Sequence, residues 1–332
     1  MGTIALTGAT GFIGKHLLKS LLCWDNSPIR VLIHENRSVT LLNEPGVTLV
    51  TGDLLKLETL YHFPVSSCTV VNLVNLAGMS ERDNLLAMDN LGKACVKAGI
   101  RRLIHCSSAV VSGRVSSNMI TEETECSPIN EYEIAKYHIE KSFLEKYRDS
   151  FDIIILRPTE VFGPYGKNLL KLADSLVQGN RFANYIRSCV FKKRRVNLVS
   201  VQNVVAAIEF CICLNKKIIE PEIFIVSEDE DPIYEYRSME SMLMRYLGQK
   251  DYFFPVVPIP LFILGFLLKL LGRTNCNPLS FYSGRKLIDF GFTKKMSLQD
   301  GLALFAGWYK AAHEWRNRDR HDEYSHSGES CN

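Results

Sequence analysis

The sequence predicts an α/β fold in which a doubly wound parallel sheet is joined to a smaller, mostly helical part. Two observations lead to this prediction. Short β-branched runs alternate with segments of helical periodicity through the first half of the chain, and a glycine-rich turn joins the first run to the first helix. With 332 residues, 46% of them hydrophobic, the chain is long enough for both parts.

Short apolar runs are the predicted strands of the sheet. They comprise residues 3–6, 29–33, 47–51, 69–74, 103–106 and 153–156. Residues 196–199 and 222–226 have the same character and flank a predicted helix over 201–214, so we expect this later stretch to return to the sheet. Ligands of such sheets bind beyond the carboxyl ends of the strands. The residues that follow each run are therefore the first candidates for a functional site.

A glycine string, TGATGFIG from Thr7, joins the first run to a predicted helix over residues 12–22. Gly8 permits the turn, Gly11 allows a pyrophosphate to approach the backbone, and Gly14 lets the helix lie close to the strand. The unpaired N–H groups at the start of the helix would bind the anion. Taken alone, the string also fits an ordinary turn between a strand and a helix.

Tyr132 and Lys136 form a possible acid–base pair. They are four residues apart in a predicted helix that follows Pro128 and spans 130–146, so they share one face. A free tyrosine has a pKa of about 10. The neighbouring ammonium and a positively charged nicotinamide ring would lower it. Ser108, just after the 103–106 run, could donate a hydrogen bond to a substrate oxygen.

Seven motifs in a fixed order extend this pattern over residues 3–309. They are TGATGFIG from Thr7, GDL from Gly52, NLAG from Asn75, CSSAVVSG from Cys106, YEIAK from Tyr132, LRPTEVFGP from Leu156 and SLQDGLALFAGWY from Ser297. In them the chain resembles the extended short-chain dehydrogenase/reductase family, the group of nucleotide-sugar epimerases, dehydratases and reductases. The resemblance implies a Rossmann domain with a smaller, mostly helical C-terminal substrate domain.

The resemblance also implies roles for individual residues. Ser108, Tyr132 and Lys136 would be catalytic, with Tyr132 as the proton donor or acceptor and Lys136 bound to the nicotinamide ribose. Asp53 and Leu54 would contact the adenine end of the cofactor. The full set of candidate cofactor residues is Gly8, Thr10, Gly11, Phe12, Ile13, Gly14, His34, Arg37, Asp53, Leu54, Ala77, Gly78, Tyr132, Lys136, Arg157 and Pro158. No metal site is expected.

The branch of the family depends on two local features. Dehydratases of this group carry Asp and Glu directly after the catalytic Thr, whereas this chain has Ala109 and Val110, which cannot transfer protons. His34 and Arg37 at the end of the second run favour NADP over NAD, although Glu35 could bind the ribose of NAD. We therefore favour a 4-keto nucleotide-sugar reductase with Tyr132 as the general acid. The alternatives are a C4 epimerase with retained NAD, a 3β-hydroxysteroid-type dehydrogenase and a non-catalytic binding protein.

Two further segments bear on substrate and partners. Residues 163–195 are rich in Lys and Arg, as a diphosphate-linked substrate requires. An apolar stretch begins at Phe253 and ends at Leu271, but its prolines leave too few consecutive apolar residues to span a membrane. We favour a helix packed on the sheet domain over a surface that touches a membrane or admits a lipid-like substrate. A net charge of only +3, and a basic cluster without interleaved aromatic residues, argue against a nucleic-acid-binding role.

We predict a dinucleotide-binding domain over 1–163 and 196–226, a substrate domain over 164–195 and 227–315, and a flexible tail over 316–332. Ten cysteines without paired spacing, and an N-terminus that enters the first strand at once, indicate a cytoplasmic protein. The resemblance further implies a homodimer.

Overall fold

The computed structural model describes residues 2–24, 27–34, 44–74, 78–115, 117–230, 233, 235–270 and 277–326. Arg37 and Ala77, two of the candidate cofactor residues, lie outside these ranges. The predictions made for them are not tested by the structure.

A seven-stranded parallel sheet forms the centre of the protein. Its strands are β1 (Ile4–Thr7), β2 (Ile29–Ile33), β3 (Val47–Thr51), β4 (Thr69–Asn72), β5 (Arg102–Cys106), β7 (Asp152–Pro158) and β10 (Glu222–Val226). Their order in the sheet is β10-β7-β5-β4-β1-β2-β3, and every neighbouring pair is parallel. The prediction of a doubly wound parallel sheet is confirmed. The strand order reverses at β1, where the cofactor of such folds is expected.

Ten helices connect or flank the strands in the described part of the chain. They are α1 (Phe12–Leu21), α2 (Glu81–Ala98), α3 (Glu131–Lys146), α4 (Leu170–Gln178), α5 (Arg181–Phe191), α6 (Val201–Cys213), α7 (Tyr236–Tyr246), α8 (Leu261–Leu270), α9 (Arg285–Asp289) and α10 (Leu298–His326). Helices α1 and α6 cover one face of the sheet, and α2 and α3 cover the other.

The buried strands contribute apolar side chains to the cores on both faces of the sheet. In β7, Ile154 and Leu156 face the α1–α6 core, whereas Ile153 and Ile155 face the α2–α3 core. Side chains of a strand alternate between its two faces, so a run with apolar residues on both faces must be covered on both sides.

One predicted strand pairs differently from our expectation. We expected residues 196–199 to join the main sheet, but β9 (Leu198–Ser200) pairs with β8 (Glu160–Phe162) in a separate two-stranded sheet. The reason is that β8 follows β7 almost immediately and leaves the sheet at its carboxyl end, where it provides an edge for β9. Another small pair joins β6 (Met119–Ile120) to β11 (Phe281–Tyr282).

The C-terminal half packs mainly as helices. Side chains of α4, α7 and α10 form a third core with β8 and β9, centred on Phe162, Leu243 and Phe305. Helix α10 continues to His326, beyond residue 315, where the composition predicted the start of a flexible tail. In the described ranges, none of the helices combines the length and the apolar character that crossing a bilayer requires.

Candidate active site

The glycine turn after β1 has the close packing that its sequence predicts. Gly8 has a φ of +73°, and its carbonyl accepts a hydrogen bond from the Gly11 N–H at 3.0 Å. A Cβ atom on Gly14 would lie 2.1 Å from the Gly8 carbonyl oxygen. Helix α1 therefore lies against the end of β1 at a distance that only glycine permits.

The start of α1 fits a pyrophosphate. Gly11 occupies the N-cap position and has no side chain with which to cap the helix, so no N-cap side chain competes with an anion for the first N–H groups. Thr10, Phe12 and Ile13 are half-buried around it. A dinucleotide fits this cradle, because Gly11 has no side chain to keep its phosphates from the backbone.

We expect Gly14→Ala to weaken dinucleotide binding and to destabilise the fold by about 1–3 kcal/mol, the usual range for added core atoms. Gly307→Ala is the matched control, because a Cβ on that α10 glycine meets nothing within 4 Å. Calorimetric titration and thermal unfolding of both variants test this. Unchanged binding and stability in Gly14→Ala would contradict the role of the close contact.

The adenine end of the predicted site lies beyond β2 and β3. His34 Nε2 lies 3.9 Å from the Asp53 carboxylate, which also accepts the Leu55 N–H at 3.0 Å. Leu54 is buried in the α2–α3 core. The structure thus brings His34 and Asp53 together, so one ligand could contact both. Gly78, with a φ of +85°, lies beyond β4.

A capping box fixes the start of the tyrosine helix, α3. The Asn130 side chain accepts the Glu133 N–H at 2.9 Å, and the Glu133 carboxylate accepts the Ile129 N–H at 2.9 Å. This arrangement satisfies N–H groups at the helix start. It fixes the first turn of α3, where Tyr132 lies, at the carboxyl end of the sheet.

Lys136 connects the tyrosine helix to the strand that leads to Ser108. Its side chain is buried, and Nζ donates to the Cys106 carbonyl oxygen at 3.5 Å. Ser108 is half-buried two residues later, where its Oγ accepts the Val110 N–H at 3.4 Å and caps a short 3₁₀ turn. Tyr132, one helical turn before Lys136, is 44% exposed. The three predicted catalytic residues therefore lie on α3 and at the turn that follows β5, and the Lys136 hydrogen bond to Cys106 connects the two elements.

The Lys136 ammonium alone does not lower the pKa of Tyr132. Partial burial raises the pKa of the hydroxyl above its ordinary value, and the Cys106 side chain adds to the increase. Burial likewise lowers the pKa of Lys136, against the opposing effects of Cys106 and Glu140. The physical reason is that the Lys136 ammonium is directed to a backbone carbonyl, so loss of hydration dominates at the tyrosine. Lowering the tyrosine pKa requires positive charge from a bound ligand.

Arg157 has a partner that our sequence analysis did not identify. Its guanidinium forms a buried two-pronged ion pair with Glu140 of α3, with Nη2 2.6 Å from Oε2 and Nε 3.1 Å from Oε1. Arg157 and Pro158 are both among the candidate cofactor residues that the resemblance implies. Because the Arg157 side chain is committed to Glu140, a cofactor contact at this point would come from the backbone or from Pro158.

A buried polar chain crosses the centre of the sheet beneath the predicted site. Thr7 Oγ1 donates to Asn72 Oδ1 at 2.7 Å, and Asn72 Nδ2 lies 3.1 Å from His105 Nδ1. We did not single out these residues. Their signal in the sequence was a polar residue at or near the end of each of three apolar runs.

A basic cavity of about 370 Å³ lies beside β8, between α4, α5 and α7. Five of its lining residues are cationic. They are Lys167, Lys171, Arg187, Arg194 and Arg195. Arg187 is held in place by Tyr236 Oη at 3.0 Å and by Asn184 Oδ1 at 2.7 Å. Because β8 begins two residues after β7 ends, the cavity is at the same end of the sheet as the glycine turn.

The fold and these motifs agree with comparisons to known proteins. The model of the NAD dependent epimerase/dehydratase family matches residues 4–226. The UDP-glucose 4-epimerase of Vibrio cholerae is 27% identical, over 90% of this chain and 93% of that protein. The dTDP-D-glucose 4,6-dehydratase of Mus musculus is 22% identical, over 96% of this chain and 91% of that protein.

A solved structure of similar fold is the UDP-glucose 4-epimerase of Thermotoga maritima with UDP-glucose, which has a TM-score of 0.70 and 20% identity and covers 94% of this chain and 99% of that one. Another is the Thermus thermophilus UDP-glucose 4-epimerase in complex with NAD, with a TM-score of 0.66, 19% identity and coverage of 94% and 100%. The sheet order, the glycine turn and the match over residues 4–226 together show that this chain is an enzyme of the NAD dependent epimerase/dehydratase family.

Proposed function

We propose that the protein interconverts nucleotide-diphosphate sugars by oxidation and reduction at C4, as a C4 epimerase that retains NAD. The relative that spans 90% of the chain, a UDP-glucose 4-epimerase, is the observation that carries this choice over the reductase favoured by the sequence. Dehydratases of this group have acidic residues where this chain has Ala109 and Val110, which argues against a dehydratase.

The basic cavity supports a diphosphate-linked substrate. The guanidinium groups of Arg187, Arg194 and Arg195 and the ammonium groups of Lys167 and Lys171 place five positive charges around the cavity, which suits phosphate oxygens. A steroid needs an apolar cavity, so this lining disfavours a hydroxysteroid-type dehydrogenase. We propose that α4, α5, α7 and α8 form the substrate-binding part of the enzyme.

In the proposed reaction Tyr132 moves the proton of the C4 oxygen. As a phenolate it accepts the hydroxyl proton during oxidation, and it returns that proton when the other face of the sugar carbon is reduced. Ser108 donates a hydrogen bond to the same oxygen, and Lys136 favours the phenolate electrostatically. Bound NAD supplies the acceptor and donor of hydride at C4. Glycines 8, 11 and 14 would hold its pyrophosphate.

A 4-keto-sugar reductase that consumes NADPH is the second candidate, and His34 is the observation that favours it. His34 is exposed at the carboxyl end of β2, where the cofactor ribose is expected, and it presents an imidazole where NAD enzymes usually carry an acid. Tyr132 would then act as a general acid for the developing alkoxide. Arg37 would assist in binding the extra phosphate.

Mass spectrometry of cofactor released from the purified protein distinguishes the two. We expect tightly held NAD, and conversion of UDP-glucose to its C4 epimer without added cofactor, followed by NMR. A protein purified without dinucleotide that binds NADPH in preference to NADH would contradict the epimerase and favour the reductase. Failure to bind either dinucleotide would contradict both.

We also propose a cytoplasmic homodimer. All eight cysteines within the described ranges are free thiols, which suits a reducing compartment. We propose α2 and α3 as the pairing helices; they lie side by side and are joined through Asp89, which accepts from Lys146 and from Tyr147. Light scattering that detects only a monomer would contradict the proposed dimer.

A further inference from the structure

A large apolar face is exposed on the side of the protein formed by α5, the 253–257 segment and α8. Phe253 is 91% exposed and Phe262 is 78% exposed. The apolar face comprises Phe182, Ile186, Phe253, Phe254, Val257, Phe262, Ile263, Phe266 and Leu270. Exposed apolar clusters of this kind mark interaction sites more often than they occur by chance.

Hydrogen bonds hold the parts of this face next to one another. Tyr185 Oη donates to the Pro255 carbonyl at 3.1 Å, and Lys192 Nζ donates to the Val256 carbonyl at 2.7 Å. The Ile259 N–H donates to the Cys189 carbonyl at 3.4 Å. The 253–259 segment therefore runs along α5 and leads into α8, which begins two residues after Ile259.

Helix α8 is anchored by one face and exposes the other. Leu264 and Leu268 are each 1% exposed and supply the contact with the protein. Phe262, Phe266 and Leu270 recur at four-residue spacing on the opposite side. The prediction of a packed helix therefore accounts for only one of its faces.

The segments that carry the apolar face are mostly basic. Residues 181–193 and 250–270 contain Arg181, Arg187, Lys192, Lys193, Lys250 and Lys269, and their only acidic residue is Asp251. Asp251 is paired with Arg237. Lys269 is exposed seven residues after Phe262, which places it on the exposed side of α8. Its long side chain can reach anionic headgroups while its stem remains among apolar groups.

We propose that this face docks the enzyme on an anionic lipid surface. The apolar side chains would enter the headgroup region while the cations contact phosphate groups, which is the arrangement of interfacial proteins. A second copy is a poorer occupant, because it would bring the same positive charge against the face. Helix α5 also carries Arg187 of the basic cavity, so docking would place that cavity near the membrane surface. This inference does not depend on which sugar reaction the enzyme performs.

Vesicle flotation of the full chain tests the proposal. Vesicles containing phosphatidylglycerol are compared with vesicles of phosphatidylcholine alone, at low and high salt. We expect binding to the anionic vesicles that weakens with salt. Phe262→Ser combined with Phe266→Ser should reduce that binding by about tenfold or more, since two exposed apolar anchors are lost. Ile219→Ser, which alters an 81% exposed residue outside the apolar face, should leave binding unchanged.

Three results would overturn the proposal. The first is an absence of wild-type binding to anionic vesicles. The second is binding that the double variant retains in full. The third is a lipid-free wild-type dimer, seen by light scattering, that the double variant converts to a monomer, because the face would then be covered by a second copy. Circular dichroism and dinucleotide binding of the double variant establish that it is folded.

Discussion

Replacing Tyr132 by phenylalanine is expected to lower kcat/KM by about 10²- to 10⁴-fold, the usual contribution of a positioned acid or base. The substitution removes only the hydroxyl, which is the group that transfers the proton. Since 44% of Tyr132 is exposed and its ring remains, the fold should be little affected. Dinucleotide binding, measured by titration, should survive.

The pH profile separates a catalytic from a structural role for Tyr132. Because burial raises the tyrosine pKa, the phenolate needed for oxidation is scarce at low pH, and wild-type activity in that direction should rise with pH. The variant should lose this dependence. Tyr137→Phe is the matched control, since Tyr137 is on the same helix with its ring beneath Lys141 at 5.0 Å. If the Tyr132→Phe variant is as active as the Tyr137→Phe control, the proposed chemistry is contradicted.

The parts of the fold that local periodicity determines could be predicted from the sequence. The turn from β1 to α1 is specified by glycines within eight residues, and Gly8 and Gly14 have in the structure the conformation and packing that their spacing predicts. The order of apolar runs likewise predicts a parallel sheet, because these runs alternate with segments of helical periodicity through the first half of the chain.

Non-local choices could not be predicted in this way. The partner of β9 is β8, a strand of only three residues that closely follows β7. The sequence does not show that this short segment leaves the main sheet and offers an edge for pairing. Apart from Lys269, helix α8 contains only apolar residues and glycine, so its sequence does not reveal that Leu264 and Leu268 face inward. The pKa of Tyr132 is a balance of burial against charge, and the sequence names its neighbours without giving their distances.

The Arg157–Glu140 pair could be predicted only in part from the sequence. Strand alternation places Arg157 on the same face of β7 as Ile153 and Ile155, toward α3. Helical spacing places Glu140 on the face that carries Lys136. The sequence therefore contained a signal for the contact, although only the structure shows that the two charges meet and are buried.

Breaking this pair is expected to cost about 3–5 kcal/mol of stability, because either single substitution leaves a buried charge without its partner. Glu140→Gln and Arg157→Met each test one side, with urea unfolding as the measurement. The double variant Glu140→Gln/Arg157→Met should be more stable than the sum of the single losses predicts, since no charge is then left unpaired. His138→Gln is the control on the same helix, because its pair with Glu81 is exposed and should contribute about 1 kcal/mol or less.

The same pair should also affect catalysis through Lys136. The Glu140 carboxylate favours the ammonium form of Lys136, and burial opposes it. Glu140→Gln should therefore lower the Lys136 pKa further, and activity that needs the ammonium should decline at a lower pH than in the wild type. A structural role alone would lower the unfolding midpoint and leave the pH profile of the folded enzyme unchanged. Both effects would be contradicted if Glu140→Gln lost no more stability, and shifted the pH profile no more, than His138→Gln does. The buried carboxylate would then contribute no more than an exposed one.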